Sequence, residues 1–194
     1  IPIYHTLALN GAVSWGQYTY DSNPYYLQTQ DNSGDIVSDG YVYWKDFRVE
    51  STPQTAVNVG LSWRSNNNIF LSADFNYYNN MYLSMSPIYR TDAVITTGMT
   101  AEDIAHLRRQ EKFDSAYTLN ASIGKNWYIH RQYTLGFSLE VKNILNNQDI
   151  RTGGYEQTRL TKNTETTVTT YQAFDSKYFY MFGTTYYLNL YFRF

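Results

Sequence analysis

Three histidines, one acidic turn, one glycine pair and a set of loop aromatics are the residues of this chain whose types could do chemistry. A metal centre or a hydrolytic triad needs its groups within a few ångströms of each other. The strand pattern described below sends His5 and His130 to one end of the strands and His106 into a long loop at the other end. The three therefore cannot share a centre. The 194 residues include no cysteine, which excludes a disulfide, a thiolate metal site and a cysteine nucleophile. The stretch Asp31-Asn32-Ser33-Gly34-Asp35 offers several oxygens but lacks the regular spacing and distal Glu of a calcium loop, so it reads as a turn. Gly153-Gly154 is followed by neither a helix nor a Lys-Ser/Thr pair, and reads as a loop glycine pair with positive φ rather than a phosphate cradle. No catalytic residue, metal ligand or cofactor site is expected.

Aromatic rings are what remain. Tyr25, Tyr26, Tyr41, Tyr43, Trp44, Tyr89, Tyr155 and Tyr171 fall in long connections, where a rigid scaffold usually presents its binding groups. Such rings either stack on a ligand or pack loop on loop. Tyr43, Trp44, Tyr89 and Tyr155 are the candidate ligand-binding residues. Two carboxylates, Asp74 and Glu140, fall on polar strand faces and are expected to bond to neighbouring polar groups rather than to titrate.

The elements that position these residues are strands, because period-two alternation dominates the chain. Six are expected. Leu7, Leu9, Gly11, Val13 and Trp15 share one face of the first, and Val57, Val59, Leu61 and Trp63 one face of the second. The third presents Ile69, Leu71, Ala73, Phe75 and Tyr77, and the fourth Tyr117, Leu119, Ala121 and Ile123. Tyr133, Leu135, Phe137, Leu139 and Val141 line the fifth. The last, Lys177 to Phe194, carries an unbroken face from Tyr178 to Phe194. None of these apolar positions is charged, whereas Asp74, Glu140, Lys142 and Arg193 occupy the opposite faces. A cation facing lipid at mid-depth costs roughly 2–4 kcal/mol, so a bilayer would enforce this sorting.

Connections alternate in length. Tight turns are expected around Ser65–Asn68 and Asn126–Arg131. Asp21–Thr52, Asn79–Lys112 and Asn146–Ser176 are long, which is uncommon inside a compact domain. Within the second, Thr100 and Asp103 form a capping-box pattern ahead of Ile104, Ala105, Leu107 and Arg108. Short periplasmic turns and long outer loops would put Trp63, Trp127, Tyr133, Phe192 and Phe194 at the periplasmic rim, with Trp15, Tyr77, Tyr117 and Tyr180 nearer the outer one.

Composition agrees with an all-β, antiparallel transmembrane barrel segment. Aromatic residues make up 18% of the chain and charged residues only 16%, against about 25% in soluble domains. A net charge of −2 with no basic run leaves no electrostatic footprint for nucleic acid. There is no apolar run long enough for a membrane-spanning helix. Six strands are too few to close a barrel, since about eight is the practical minimum. Either several chains pool their strands, or the count is two short, or, as expected first, the remaining strands lie outside this sequence; any targeting segment is likewise expected outside it, since it opens on Ile1 without a signal-peptide pattern.

In order along the chain, GQYTYDSNP (Gly16 to Pro24), TPQTAVNVGLSWR (Thr52 to Arg64), LNASIGKNW (Leu119 to Trp127), VKNILNNQDIRTGGYEQTR (Val141 to Arg159) and FDSKYFYMFGTTYYLNLYFRF (Phe174 to Phe194) resemble the carboxy-terminal barrel region of TonB-dependent outer-membrane receptors of the carboxypeptidase-regulatory-domain type. The resemblance covers nearly all of residues 1–194. It implies a Gram-negative outer-membrane location, a barrel of about 22 strands, and active import of a bulky nutrient such as an oligosaccharide, a peptide or a metal chelate. The implied partners are outer-membrane lipid, the plug and remaining strands of the receptor, and TonB acting through the plug. A surface lipoprotein lid is compatible with the resemblance but not implied by it. Phe192 and Phe194 resemble the terminal signal for membrane assembly, although Asn189 stands where that signal often has glycine. A self-contained small barrel with a structural or adhesive role is the alternative, and a soluble β-sandwich binding module a third.

Overall fold

The computed structural model describes residues 2–4, 6–95, 99–130, 132–162 and 169–194. The chain is all-β and antiparallel. Its strands are β1 (Pro2–Tyr4), β2 (Leu7–Trp15), β3 (Tyr25–Thr29), β4 (Ile36–Tyr41), β5 (Thr55–Arg64), β6 (Ile69–Asn79), β7 (Ala116–Ile129), β8 (Tyr133–Lys142), β9 (Arg151–Lys162), β10 (Thr169–Tyr180) and β11 (Thr185–Arg193). Two short helices, α1 (Asp92–Ile95) and α2 (Ala101–Leu107), lie between β6 and β7. One open sheet runs β1-β2-β5-β6-β7-β8-β11, while β3/β4 and β9/β10 form separate two-stranded hairpins.

All six expected sheet strands are present, and the register carries their apolar faces across the sheet in continuous rows. One row runs Leu9, Leu61, Ala73, Ala121, Val141 and Tyr186, and the next Leu7, Trp63, Leu71, Ile123, Leu139 and Leu188. The polar row between them holds Ala8, Ser62, Ser72, Ser122, Glu140 and Tyr187. Across β5 to β8 burial is inverted relative to a soluble protein, with Leu61 45% and Phe75 41% exposed on the apolar face and Thr118 5% on the polar face, while both faces of β2 and β11 are largely exposed.

The polar face holds itself together across strands. Asn58 Nδ2 donates to Asn76 Oδ1 (2.8 Å), Asn76 Nδ2 to Thr118 Oγ1 (3.3 Å), and Ser72 and Ser122 share a hydroxyl bond of 2.8 Å. Tyr191 donates its hydroxyl to Asn126 Oδ1. Two large rings also occupy this face, and each lies across a glycine of the neighbouring strand. The Phe70 ring covers Gly124 and the Tyr191 ring covers Gly136, so closely that a Cβ at either glycine would collide with the ring.

Four expectations need correction. The fourth strand does not end before Asn126. β7 continues to Ile129, whose carbonyl accepts from the Gln132 N–H (3.1 Å) just before β8 begins, with His130 at φ 52°. This extension brings a charge, Lys125, onto the apolar face, where its Nζ sits 5.3 Å from the centre of the Trp127 ring near the strand end.

The last strand is also not continuous. It breaks at residues 181–184 into β10 and β11, which carry Tyr178 and Tyr180 into a different sheet from Phe192. Asn143, at φ 51° and 4% exposed, causes the break. Its Nδ2 donates to Phe182 O (3.0 Å) and its own carbonyl accepts from Thr184 Oγ1 (2.8 Å), so these bonds replace ladder bonds.

Third, the long connections are structured. The Asp21–Thr52 and Asn146–Ser176 segments carry the β3/β4 and β9/β10 hairpins. Fourth, Gly153 and Gly154 lie inside β9 rather than in a loop. Gly154 has φ 148° and faces the Lys177 carbonyl at a register shift between the two strands of that hairpin. The Ser65–Asn68 turn and the Thr100/Asp103 capping box form as expected.

Replacing Gly124 by valine should displace Phe70 and cost about 1–3 kcal/mol through overpacking. The same change at the exposed neighbour Ile123 should cost far less. Urea midpoints of the two variants in lipid provide the measurement, and equal midpoints would refute the role assigned to Gly124.

Candidate ligand-binding site

All three long connections leave the same end of the sheet, after Trp15, Asn79 and Lys142. They pack on one another instead of spreading apart. Of the buried apolar residues, Val42, Leu83, Met85, Val94, Leu107, Phe113 and Ile150 belong to these connections and Ala116 opens β7, so most of the core of the described chain lies in a loop cap. Backbone bridges tie the cap together, with Val42 to Thr91, Thr19 to Arg48, Tyr82 to Lys112 and Ser84 to Tyr155.

Arg90 is the hub of the cap. At 2% exposure it directs a bidentate fork at Glu156 of β9, with Nη2 2.8 Å from Oε2. Its Nε donates to Leu107 O (3.0 Å), its Nη1 to Ser86 O (3.1 Å), and its own carbonyl accepts from the Tyr43 backbone (2.8 Å). Every loop thus reaches one guanidinium or its backbone. Glu111 is a second, more open hub. It accepts from Tyr178 Oη (2.6 Å) and Ser176 Oγ (3.1 Å) and pairs with Arg151 at 3.5 Å, while Arg151 also lies 4.2 Å from the centre of the Tyr178 ring.

Two clefts open on either side of the Arg90–Glu156 pair. The first, of about 620 Å³, is lined by Ser84, Ser86, Tyr89, Tyr155, Glu156, Thr158 and Arg159, with Phe174 under Arg159. The second, of about 540 Å³, is lined by Tyr43, Lys45, Phe47, Arg90, Asp92, Ile95, Ile104, Leu107 and Arg108. Both volumes fall within the range of small-ligand sites.

The four candidate aromatics do not converge on one place. Tyr89 and Tyr155 line the first cleft, and Tyr89 Oη donates to Thr158 O (3.0 Å). Tyr43 lines the second and donates its hydroxyl to Asp92, which together with burial and the Asp92 charge holds its pKa above the usual tyrosine value. Trp44 packs on Tyr20, ring centres 4.9 Å apart, and lines neither cleft. Its indole N–H has no hydrogen-bond partner among the described residues. Tyr25 and Tyr41 pack edge to face in the β3/β4 hairpin. Phe192 lies at the far end of the sheet, stacked on Tyr133 at 5.8 Å, with Phe194 beside it at 6.2 Å.

Asp31–Asp35 forms the turn of that hairpin, with Gly34 at φ 72°. Glu140 pairs with Lys142 on the polar face at 3.5 Å. His106 sits in α2 and His130 in the turn at the opposite end, while His5 lies outside the described residues. Among the described residues no three metal-ligating side chains gather. Arg90, Glu156 and Glu111 are not singled out by the sequence, since their side-chain partners lie 40 to 67 residues away. Comparison with protein-family models, curated proteins and solved structures finds no match to this chain.

Removing one partner of a buried pair strands the other. Arg90→Met should cost the cap about 3–5 kcal/mol and open it to protease, and adding Glu156→Leu should recover much of the loss. Loop cleavage rates of the single and double variants test this, and equal rates for the two would refute it.

The Tyr178 phenol is pushed above its ordinary 10.0, first by its bond to Glu111, then by burial and the Glu111 charge. A raised folded pKa favours the folded cap fully below about pH 10, and this stabilisation is lost as pH rises through the folded value. Subtilisin cleavage of the cap should therefore accelerate above about pH 10. Tyr178→Phe should be cut faster at pH 9 with a smaller alkaline rise. An unchanged rise would refute the assignment.

Proposed function

We infer that this chain is the closing portion of an outer-membrane barrel of the TonB-dependent receptor type, and that the whole receptor imports a bulky nutrient received by the loop cap. The sheet supports this reading: an outward apolar face whose one charge among the described sheet strands is Lys125 near a strand end, a hydrogen-bonded polar face inward, short turns at one end and a folded cap at the other. From Tyr117 to Trp127 the apolar face of β7 spans eleven residues, ten steps or about 33 Å of strand. Tilted as barrel strands are, that corresponds to a band about 25 Å tall. Lys125 fits the reading because it lies next to Trp127 at the rim, where a lysine can reach the headgroups.

The open sheet leaves β1 and β11 with one unpaired edge each, and lipid tolerates no such edge. Further strands must therefore pair with both. In this reading Phe192 and Phe194 provide the assembly signal, the cap clefts receive cargo, and the plug carries the connection to TonB. No described residue set points to catalysis, and the import class rests on the sequence resemblance together with the cap. The complete reading frame tests it. Several hundred residues upstream of Ile1, including a plug domain, are expected. A short frame with its own signal peptide would overturn the importer reading in favour of a self-contained small barrel.

A further inference from the structure

We propose that the second cleft is a binding site for an amphipathic anion, a small molecule with a flat apolar body and one acidic group. The proposal deepens the reading of the cap as the receiving surface and rests on it for its biological role. Three parts of the cap build the cleft. Phe47 comes from the first loop, Ile95 from α1, and Ile104 and Leu107 from one side of α2, so its floor is apolar over most of its extent. A floor of this kind pays for an apolar body and penalises a sugar, whose hydroxyls would face aliphatic carbon without partners.

The rim supplies the sign of the charge. Arg90 borders the cleft but its charge is already satisfied by Glu156. Lys45 and Arg108 also border it, both exposed, and neither makes an ion pair among the described residues. Against these two cations stands one carboxylate, Asp92, which already accepts the Tyr43 hydroxyl. Asn23 Oδ1 accepts from the Lys45 backbone N–H (2.9 Å) and fixes the root of that side chain, while the Arg108 backbone N–H closes the end of α2 on Ile104 O and His106 O. Two cations with fixed backbones, without an ion pair among the described residues, over an apolar lining match one acidic group over an apolar body. They reject a cation of the same shape.

The first cleft has a different character, with serine, threonine and carboxylate groups beside its rings. The two sides of the Arg90–Glu156 pair therefore select different chemistry.

Three probes with one body and three charges test the proposal: indole-3-acetate, indole-3-acetamide and tryptamine, titrated by calorimetry into the full-length protein in lipid nanodiscs. Indole-3-acetate should bind at least tenfold tighter than the amide, and tryptamine weakest. Lys45→Gln with Arg108→Gln should bring the acetate down to the affinity of the amide and leave the amide unchanged. Ile104→Asp should weaken the acetate and the amide together. Equal affinity for the three probes, no binding of any of them, or an acetate affinity unmoved by the double variant would each overturn the site. The probe comparison on the unaltered protein stands even if a variant does not fold. A frame without a plug would overturn the importer reading while leaving this binding result intact, so the two failures are separable.

Discussion

One register runs through the six long strands of the sheet, and the rest of the structure depends on it. With a side-chain period of two, a slip of one residue would turn every apolar row inward and every polar row outward. The cross-strand bonds of Asn58, Asn76 and Thr118 would be lost, and the Phe70 and Tyr191 rings would leave their glycine seats. Because the register holds, the three long connections emerge together at one end and can pack on one another.

The chain then obeys two opposite rules of burial. Its sheet exposes leucine, valine and tryptophan and covers threonine and glycine, while its cap buries leucine, phenylalanine and valine as a soluble domain would. Along β7 the alternation of faces is sharp: Ala116 and Thr118 on one face are 5% exposed each, while Tyr117 between them on the other is 47% exposed.

What could be read from the sequence was local. Alternation identified the six sheet strands and their faces, Ser65–Asn68 announced its turn, and Thr100 with Asp103 announced the start of α2. What could not be read was set by partners far away in the chain. The break at residues 181–184 continues an apolar pattern and is imposed by the side chain of Asn143, 39 residues from Phe182. Gly153 and Gly154 read as a loop pair because they fall in a long connection and offer positive φ, yet they lie in β9, with Gly154 where the Lys177 carbonyl approaches. Tyr43, Tyr89 and Tyr155 stand out in sequence because aromatic loop residues are conspicuous, and in the structure they line two clefts. The Arg90–Glu156 pair that divides their clefts joins positions 66 residues apart, and no local pattern reports such a pairing.

The convergence of the loops on Arg90 also bears on how this surface can change over generations. Surface loops ordinarily tolerate insertion and drift independently, which is how a conserved scaffold acquires new specificities. Here Ser86, Leu107, Tyr43 and Glu156 meet one side chain, so a length change in one loop shifts the anchor of the others. Variation in such a cap would proceed through compensating changes across several loops at once, or through exchange of the whole cap. Lys45 and Arg108, which make no ion pair among the described residues, are left as the cleft positions free to vary singly.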